Sequence, residues 1–485
     1  MLLRRSLLIA SLALSSAACE ESTAGANLES STGGASETDA SSDDGSSNGG
    51  STSDMPGEPV CCGCLCVDAQ WSCDEDTCVD ADGHAVELRR EAGFIQLPQT
   101  EAFDTSEGRD CITTSSRLWY SFAPAHDQPE NKPLLVFFNG GPGTSTTSGL
   151  FAFRTGPQWV DTGEPGMWSV EDNPNDWSSF ANLLYIDPPT LGYSYTASCE
   201  GPNCSNSCPL TLQLDAAEFL LGTLMFLDRH PQLQGDVHLV GESYGGTRAG
   251  IMTKFARSRD GLGADGIAET GFRHAALADA LAGRSERIRG GIGIQGSFRP
   301  LGQSGHPDHP ECPPGSPGDF YACNQPYGDL DRRFAENQEA AVDRAALDRL
   351  TGVDTSSIEW LAPDLEEGFT PNGPPAYAGL DDALELTFTH WWLDTLPSSQ
   401  WFLSDARQDL AVRTDAFPGF FADTMPGRIS SASFRDASPF RVLEIVEGDQ
   451  THTLVTPIYP DAGHAATLYA PAAMHADVER YLQGL

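Results

Sequence analysis

The chain has 485 residues, with 69 acidic side chains against 28 basic ones and a formal net charge of −41. So strong a negative field repels phosphate backbones and acidic lipid surfaces, which excludes nucleic acid as a partner and charge-driven membrane binding. The length allows one large domain with small additions, and nine tryptophans imply a sizeable core.

Arg4 and Arg5 precede an apolar stretch over residues 7–14, after which Ser16, Ala17 and Ala18 lead to Cys19. Residues 1–18 therefore read as a signal peptide. The pattern resembles a bacterial lipoprotein signal, whose cleavage leaves Cys19 as the lipidated first residue, holding the chain at the cell envelope or surface. Simple secretion after cleavage at Ala18 is the alternative, because Ser16 stands where such signals often carry Leu. No segment has the eighteen or so continuous apolar residues of a spanning helix. Export places the other twelve cysteines in an oxidising compartment, where disulfides are the default.

Residues 19–60 are rich in Ser, Thr, Gly, Asp and Glu. They hold too few apolar side chains to offset the backbone entropy of folding, so a disordered acidic tether is expected. Cys61, Cys62, Cys64, Cys66, Cys73 and Cys78 then crowd together. They are expected to form a small Cys-rich module, residues 61–80, closed by disulfides; zinc is the other reading.

Residues 86–485 alternate strand and helix patterns. Residues 117–122 (RLWYSF) alternate as a strand does, and 133–138 (PLLVFF), 181–186 (ANLLYI) and 237–240 (VHLV) are runs suited to strands buried on both faces. Residues 212–229 show helical spacing of apolar side chains. Buried strands entering Gly-rich turns predict a mostly parallel central sheet flanked by helices. Residues 300–380 lose this rhythm, becoming rich in Pro, Gly and Asp, and are read as a cap insertion over the sheet.

Gly241-Glu242-Ser243-Tyr244-Gly245 has the G-x-S-x-G pattern, in which small residues let a strand turn sharply into a helix and hold the serine exposed. A second copy, Gly45-Ser46-Ser47-Asn48-Gly49, lies in the tether, so context decides: Ser243 follows a β-run and precedes a helix. Such a serine needs an imidazole to take its proton and a carboxylate to orient that imidazole, both later in the chain. His464, in the Gly-containing loop after a strand-like run at 453–459, is the best-placed histidine; His475 lies in a helix pattern, His452 begins a strand, and His390 sits between Thr389 and Trp391. For the acid, Asp405 and Asp409 both follow the strand-like Trp401-Phe402-Leu403 and are not separated by position, while Asp449 sits in a hairpin turn. Asn139-Gly140-Gly141-Pro142-Gly143, directly after PLLVFF, is the candidate loop for stabilising an oxyanion.

Together these motifs resemble the serine carboxypeptidase family of the α/β-hydrolase superfamily, from about residue 90 to the end. The resemblance rests on Asn139-Gly140-Gly141-Pro142-Gly143; on Asn173-Pro174 to Trp177, then 181–189 and Gly192-Tyr193-Ser194-Tyr195; on Gly241-Glu242-Ser243-Tyr244-Gly245; and on Ala462-Gly463-His464. It implies an α/β-hydrolase fold and peptide hydrolysis at the C-terminal residue. Ser243 would be the nucleophile, His464 the base and Asp409, which opens the run Leu410-Ala411-Val412, the acid. Backbone of Gly141 and Tyr244 would form the oxyanion hole, and Asn139 with Glu242 would hold the substrate carboxylate. Two departures stand out. Thr144 replaces a family cysteine, and Arg154 stands where the family carries a second carboxylate-recognising glutamate two residues before Gly156-Pro157. An arginine beside Glu242 would favour its ionised form and itself bind a carboxylate, removing the family's preference for acid; the alternative is that Arg154 faces away and the family's exopeptidase specificity is lost.

No cofactor and no metal are expected; His306, His309, Glu311 and Cys312 lie in a Pro-rich loop context unsuited to zinc. Cys312 and Cys323 are expected to pair, as are Cys111, Cys199, Cys204 and Cys208 among themselves. Peptides are the expected substrates. The alternatives are an esterase or acyltransferase on the same scaffold, and a non-catalytic surface protein that binds through its Cys-rich module.

Overall fold

In the computed structural model the five residues Leu134–Phe138 form a strand with every side chain buried. The structure describes residues 72–73, 78–79, 88–258, 272–298, 343–355 and 382–484, apart from short loops within those ranges, all in the unit Cys61–Leu485. The signal peptide, Cys19, the tether, most of the Cys-rich module, most of the cap at 300–380, and His306, His309, Cys312 and Cys323 lie outside the described residues. Of the module, only a short ladder between Ser72–Cys73 and Cys78–Val79 is described.

The main sheet has eleven strands: β1 (Glu91–Gln96), β2 (Ser116–Ala123), β3 (Leu134–Phe138), β4 (Asn182–Ile186), β5 (Tyr195–Thr196), β6 (Val237–Glu242), β7 (Ile288–Ile294), β8 (Gln400–Leu403), β9 (Ile429–Ala437), β10 (Phe440–Glu447) and β11 (Gln450–Val455). Their order is β5-β2-β4-β3-β6-β7-β8-β11-β10-β9, with β1 also paired to β2. Neighbours from β4 through β11 are parallel. Both flanks are antiparallel. Helices α1 (Thr146–Ala152), α2 (Leu212–Arg229), α3 (Gly245–Arg257), α4 (Asp382–Thr395) and α5 (Pro471–Leu482) lie between or after these strands. This is the α/β-hydrolase architecture that the motifs imply.

Alternation along β3 shows why the runs are apolar throughout. Leu134, Val136 and Phe138 join one core cluster with Phe219 of α2, Ile251 of α3 and Trp392 of α4. Leu135 and Phe137 join the other, with Phe151 of α1 and Val478 of α5. Successive side chains point to opposite faces, so covering both with helices demands an apolar residue at every position. Trp391 and Trp392 are core residues, as their composition suggests. The run at 453–459 is not one strand: it breaks at 456–457, where a proline interrupts the ladder, into β11 and a short strand Ile458–Tyr459. Of the expected bridges among Cys111, Cys199, Cys204 and Cys208, Cys111–Cys208 is present, and Cys199 and Cys204 lie outside the described residues.

One polar cluster interrupts the core behind β6. Arg248 of α3 donates from Nε to Asp215 Oδ2 of α2 at 2.5 Å, both side chains fully buried. Its Nη1 donates to the Asn139 carbonyl at 2.6 Å, so one guanidinium ties two helices to the loop after β3. A buried pair this well bonded is costly to break from one side, on the order of 3–5 kcal/mol. One turn along α2, burial and the nearby Asp215 carboxylate push Glu218 up to about 8, only partly offset by a hydrogen bond with Ser116.

A carboxyl raised in the folded state binds its proton more tightly than in the unfolded chain. Its contribution to stability is therefore complete below the ordinary carboxylate value and is lost as pH rises toward about 8. Glu218→Gln, uncharged throughout, is expected to match the parent chain near pH 4 and to be more stable by about 2–5 kcal/mol above pH 8. Urea unfolding midpoints at the two pH values check this; equal midpoints at both would show that Glu218 carries no extra proton in the fold.

Candidate active site

Strand β6 ends at Glu242, and the chain must enter α3 at Gly245 with two residues between. Ser243 makes that turn with φ of 51°, a left-handed backbone that non-glycine residues rarely adopt. The turn closes so tightly that a Cβ at Gly241 would lie 2.2 Å from the Gly245 carbonyl oxygen. That is the physical reason for small residues two places either side of the serine. Ser243 N–H donates to the Ile294 carbonyl at 3.1 Å, and its own carbonyl accepts from Gly246 N–H at 2.9 Å and Ser297 N–H at 2.7 Å. These bonds hold the strained residue in place and leave its half-buried side chain at the end of the sheet.

The loop after β3 packs onto this turn. A Cβ at Gly140 would come within 2.7 Å of Ser243 Cβ and 2.8 Å of Tyr244 N, so only glycine allows the approach. Gly141 follows with φ of 106° and is exposed. Asn139 is anchored through its N–H to Thr146 Oγ1 at 3.1 Å and through its carbonyl to Arg248, while its buried Oδ1 has no partner among the described residues. Tyr244 caps the start of α3, where the helix dipole favours negative charge. Pro142 and Gly143 lie outside the described residues. Behind the loop, Asp187 of the second signature accepts from Thr147 N–H at 2.7 Å, Thr147 Oγ1 at 2.6 Å and Tyr193 N–H at 2.9 Å. Burial nevertheless pushes it up to about 6, so those bonds oppose its protonation and fix α1.

His464 lies in the loop after Ile458–Tyr459. Its Nδ1 is 2.9 Å from Asp409 Oδ2, and its Nε2 is 3.0 Å from Glu242 Oε1. Of the two carboxylates that position alone left open, Asp409 faces the imidazole; Asp405 instead pairs with Arg441 and, at 3.1 Å, with Arg407. Asp409 is fully buried, and its Oδ1 accepts from Val412 N–H at 3.1 Å. Both ring nitrogens of His464 face carboxylate oxygens, an arrangement that suits the doubly protonated ring. Burial works against that charge, but Asp409 and Glu242 together outweigh it and hold the imidazole well above its ordinary range.

Two expectations meet a different geometry. The Ser243 hydroxyl takes none of the hydrogen bonds assigned among the described residues; His464 Nε2 is turned to Glu242, because a carboxylate is the stronger acceptor for an imidazolium N–H. Nor does Arg154 neutralise Glu242, whose carboxylate is held by His464 and by Gly140 N–H at 3.3 Å. The Arg154 guanidinium lies 3.5 Å over the Trp159 ring, and its backbone, at φ of 54°, offers its carbonyl to Asn173 Nδ2 at 2.7 Å. A residue that motif reading passed over, Gln295, stands at the end of β7 and donates from Nε2 to Asp409 Oδ2 at 2.9 Å. Among the described residues no group of three or more His, Cys, Asp or Glu is placed to hold a metal ion.

The serine carboxypeptidase family matches residues 98–255. Among curated proteins, serine carboxypeptidase-like 44 of Arabidopsis thaliana is 30% identical over 191 residues, 36% of this chain and 35% of that protein. Carboxypeptidase Y of Candida albicans is 31% identical over 139 residues, 28% of this chain and 23% of that protein. The chain thus spans about a third or less of the length of these relatives. Among solved structures, a prohormone-processing carboxypeptidase from Saccharomyces cerevisiae is 16% identical, with 81% of this chain and 91% of that one covered at a TM-score of 0.46. The family match takes in the loop after β3, Asp187 and the turn at Ser243, and ends within α3; Asp409 and His464 lie beyond it. Residues 98–255 are thus similar to the serine carboxypeptidase family.

Proposed function

We propose that the chain is a serine-type carboxypeptidase that removes C-terminal residues from peptides through an acyl-enzyme. The observation that carries this reading is the placement of His464 between Asp409 and Glu242, the latter being the residue directly before a serine held in a left-handed turn. Ser243 Oγ attacks the scissile carbonyl and gives its proton to His464 Nε2; Asp409 orients the ring through Nδ1–H. The backbone N–H groups of Gly141 and Tyr244 meet the charge that develops on the carbonyl oxygen. The protonated His464 then returns its proton to the leaving amine, and water repeats the sequence to release the acid.

Substrate recognition and activation are linked through Glu242. With His464 charged and Glu242 ionised, an incoming carboxylate meets a like charge. Moving the proton on the 3.0 Å contact from His464 Nε2 to Glu242 Oε1 makes both groups neutral. Glu242 can then donate a hydrogen bond to the substrate's terminal carboxylate, and Nε2 is free to accept from Ser243. The buried Asn139 side-chain amide, unpartnered at Oδ1, lies on the same loop and supplies a second polar contact. Arg154 is a third candidate for that carboxylate, reached by leaving the Trp159 face.

In this reading the chain is exported, and Cys19 carries a lipid that holds it to the cell envelope. Metabolic labelling with palmitate is expected to tag the full chain and to be lost in Cys19→Ser; equal labelling of both would remove the anchor from the account.

Blocked dipeptides with a free C-terminus are expected to be cleaved at least about 100-fold better, in kcat/KM, than the same dipeptides bearing a C-terminal amide, because the carboxylate site is left unfilled. Equal rates on both, or cleavage of esters alone, would contradict peptide-terminal specificity. The raised His464 makes the free base scarce in acid, so kcat/KM should climb as pH rises through the neutral range. Glu242→Gln removes one carboxylate from the ring and should move the acid limb to lower pH while raising KM. An optimum near pH 4–5 in the parent chain would overturn this electrostatic reading.

A further inference from the structure

The parallel strands β6, β7, β8 and β11 lie side by side in that order, and all end at one edge of the sheet. Ser243 follows β6, Asp409 follows β8 and His464 follows the short strand beyond β11. Strand β7, between the first two, ends at Ile294, whose ladder partner is Glu242. The next residue on each strand departs in the same way: Ser243 has φ of 51° and Gln295 φ of 49°. Gln295 is therefore the lateral neighbour of the nucleophile and is held in the same rare backbone conformation. A strained, fully buried glutamine calls for an explanation.

Its side-chain amide makes all four bonds open to it. Oε1 accepts from Ser404 Oγ at 2.7 Å and from Ala406 N–H at 2.9 Å. Nε2 donates to Asp409 Oδ2 at 2.9 Å and to the Val412 carbonyl at 3.3 Å. The orientation has no alternative, since a flipped amide would set NH2 against the Ala406 N–H. The Gln295 backbone N–H, donating to Ser404 Oγ at 2.8 Å, closes the network. Asp409 Oδ2 thus receives two donors, Gln295 Nε2 and His464 Nδ1, and Oδ1 receives Val412 N–H. Three donors around one carboxylate fix the plane of Asp409.

We propose that Gln295 is a positioning residue of the active site: its amide fixes the Asp409 carboxylate, and through it the His464 ring, in line with the turn at Ser243. This rests on reading Ser243, Asp409 and His464 as a catalytic triad. A shift of about 1 Å in a reacting group can cost about 100-fold in rate. The full-length chain is assayed on a blocked dipeptide, with melting curves to confirm folding. Gln295→Leu, similar in size and without a donor, is expected to lower kcat about 10–100-fold with KM within about 3-fold. Gln295→Glu keeps the shape but brings a carboxylate to Asp409, which favours the charged imidazole and should move the acid limb of kcat to higher pH. A residue that only stabilises the fold would shift melting and leave that limb in place.

Folded variants with the parent's kcat and acid limb would overturn the proposal. Should neither variant fold, Ser404→Ala, which deletes one of the two donors on Oε1, carries the test: a fall in kcat of about 3-fold or more at unchanged KM supports it, and an unchanged kcat overturns it. A parent chain inert on every blocked dipeptide would instead overturn the triad reading itself.

Discussion

Everything at this site depends on the reversal of the chain at Ser243. Strand β6 runs between β3 and β7 with all its side chains buried, and the backbone then turns into α3 through a single left-handed residue. Such a conformation in a serine costs on the order of 1–3 kcal/mol and persists only where its surroundings over-determine it. Here Ile294, Gly246 and Ser297 bond the Ser243 backbone, and Gly140 packs against its Cβ. The Arg248–Asp215 pair secures the same loop from beneath, through the Asn139 carbonyl. Strain at one residue is thus held by contacts drawn from β3, β7, α2 and α3.

Electrostatics supplies the second layer. A chain with a net charge of −41 sets the imidazole of His464 between two carboxylates, which together raise its affinity for a proton against the opposing effect of burial. Glu242 does two things in that arrangement. It belongs to the nucleophile motif, where its neighbour must be free to attack, and it occupies the nitrogen that attack requires. In the mechanism we propose, a ligand that draws Glu242 toward a hydrogen bond of its own would release the base, joining recognition of a terminal carboxylate to activation of the serine in one proton movement.

Much of this was legible from residue order. The apolar runs that became β3, β4 and β6 announce themselves because both faces of a parallel sheet are covered, and 212–229 emerged as helix α2. Strand β7 escaped notice because Gly290, Gly291 and Gly293 erase the β-branched pattern; a Cβ at Gly291 would lie 2.4 Å from the Trp401 ring, so β7 gives up side chains to let β8 approach. Gln295 was invisible for the same reason, since a lone glutamine after a Gly-rich stretch carries no motif. Asp405 and Asp409 were inseparable by spacing; the fold turns Asp409 to the His464 ring and pairs Asp405 with Arg441 and Arg407. Which way Arg154 turns could not be read from its place beside a Gly-Pro pair; the local fold sets its guanidinium over the Trp159 ring.

Activation of the hydroxyl at 243 by the His464–Asp409 pair would make that oxygen a strong nucleophile. Reaction with a fluorophosphonate, followed by peptide mass mapping, tests it directly. The adduct should fall on Ser243 alone and form far more slowly in folded His464→Ala and Asp409→Asn chains. No adduct at Ser243, or equal labelling rates in all three chains, would contradict it.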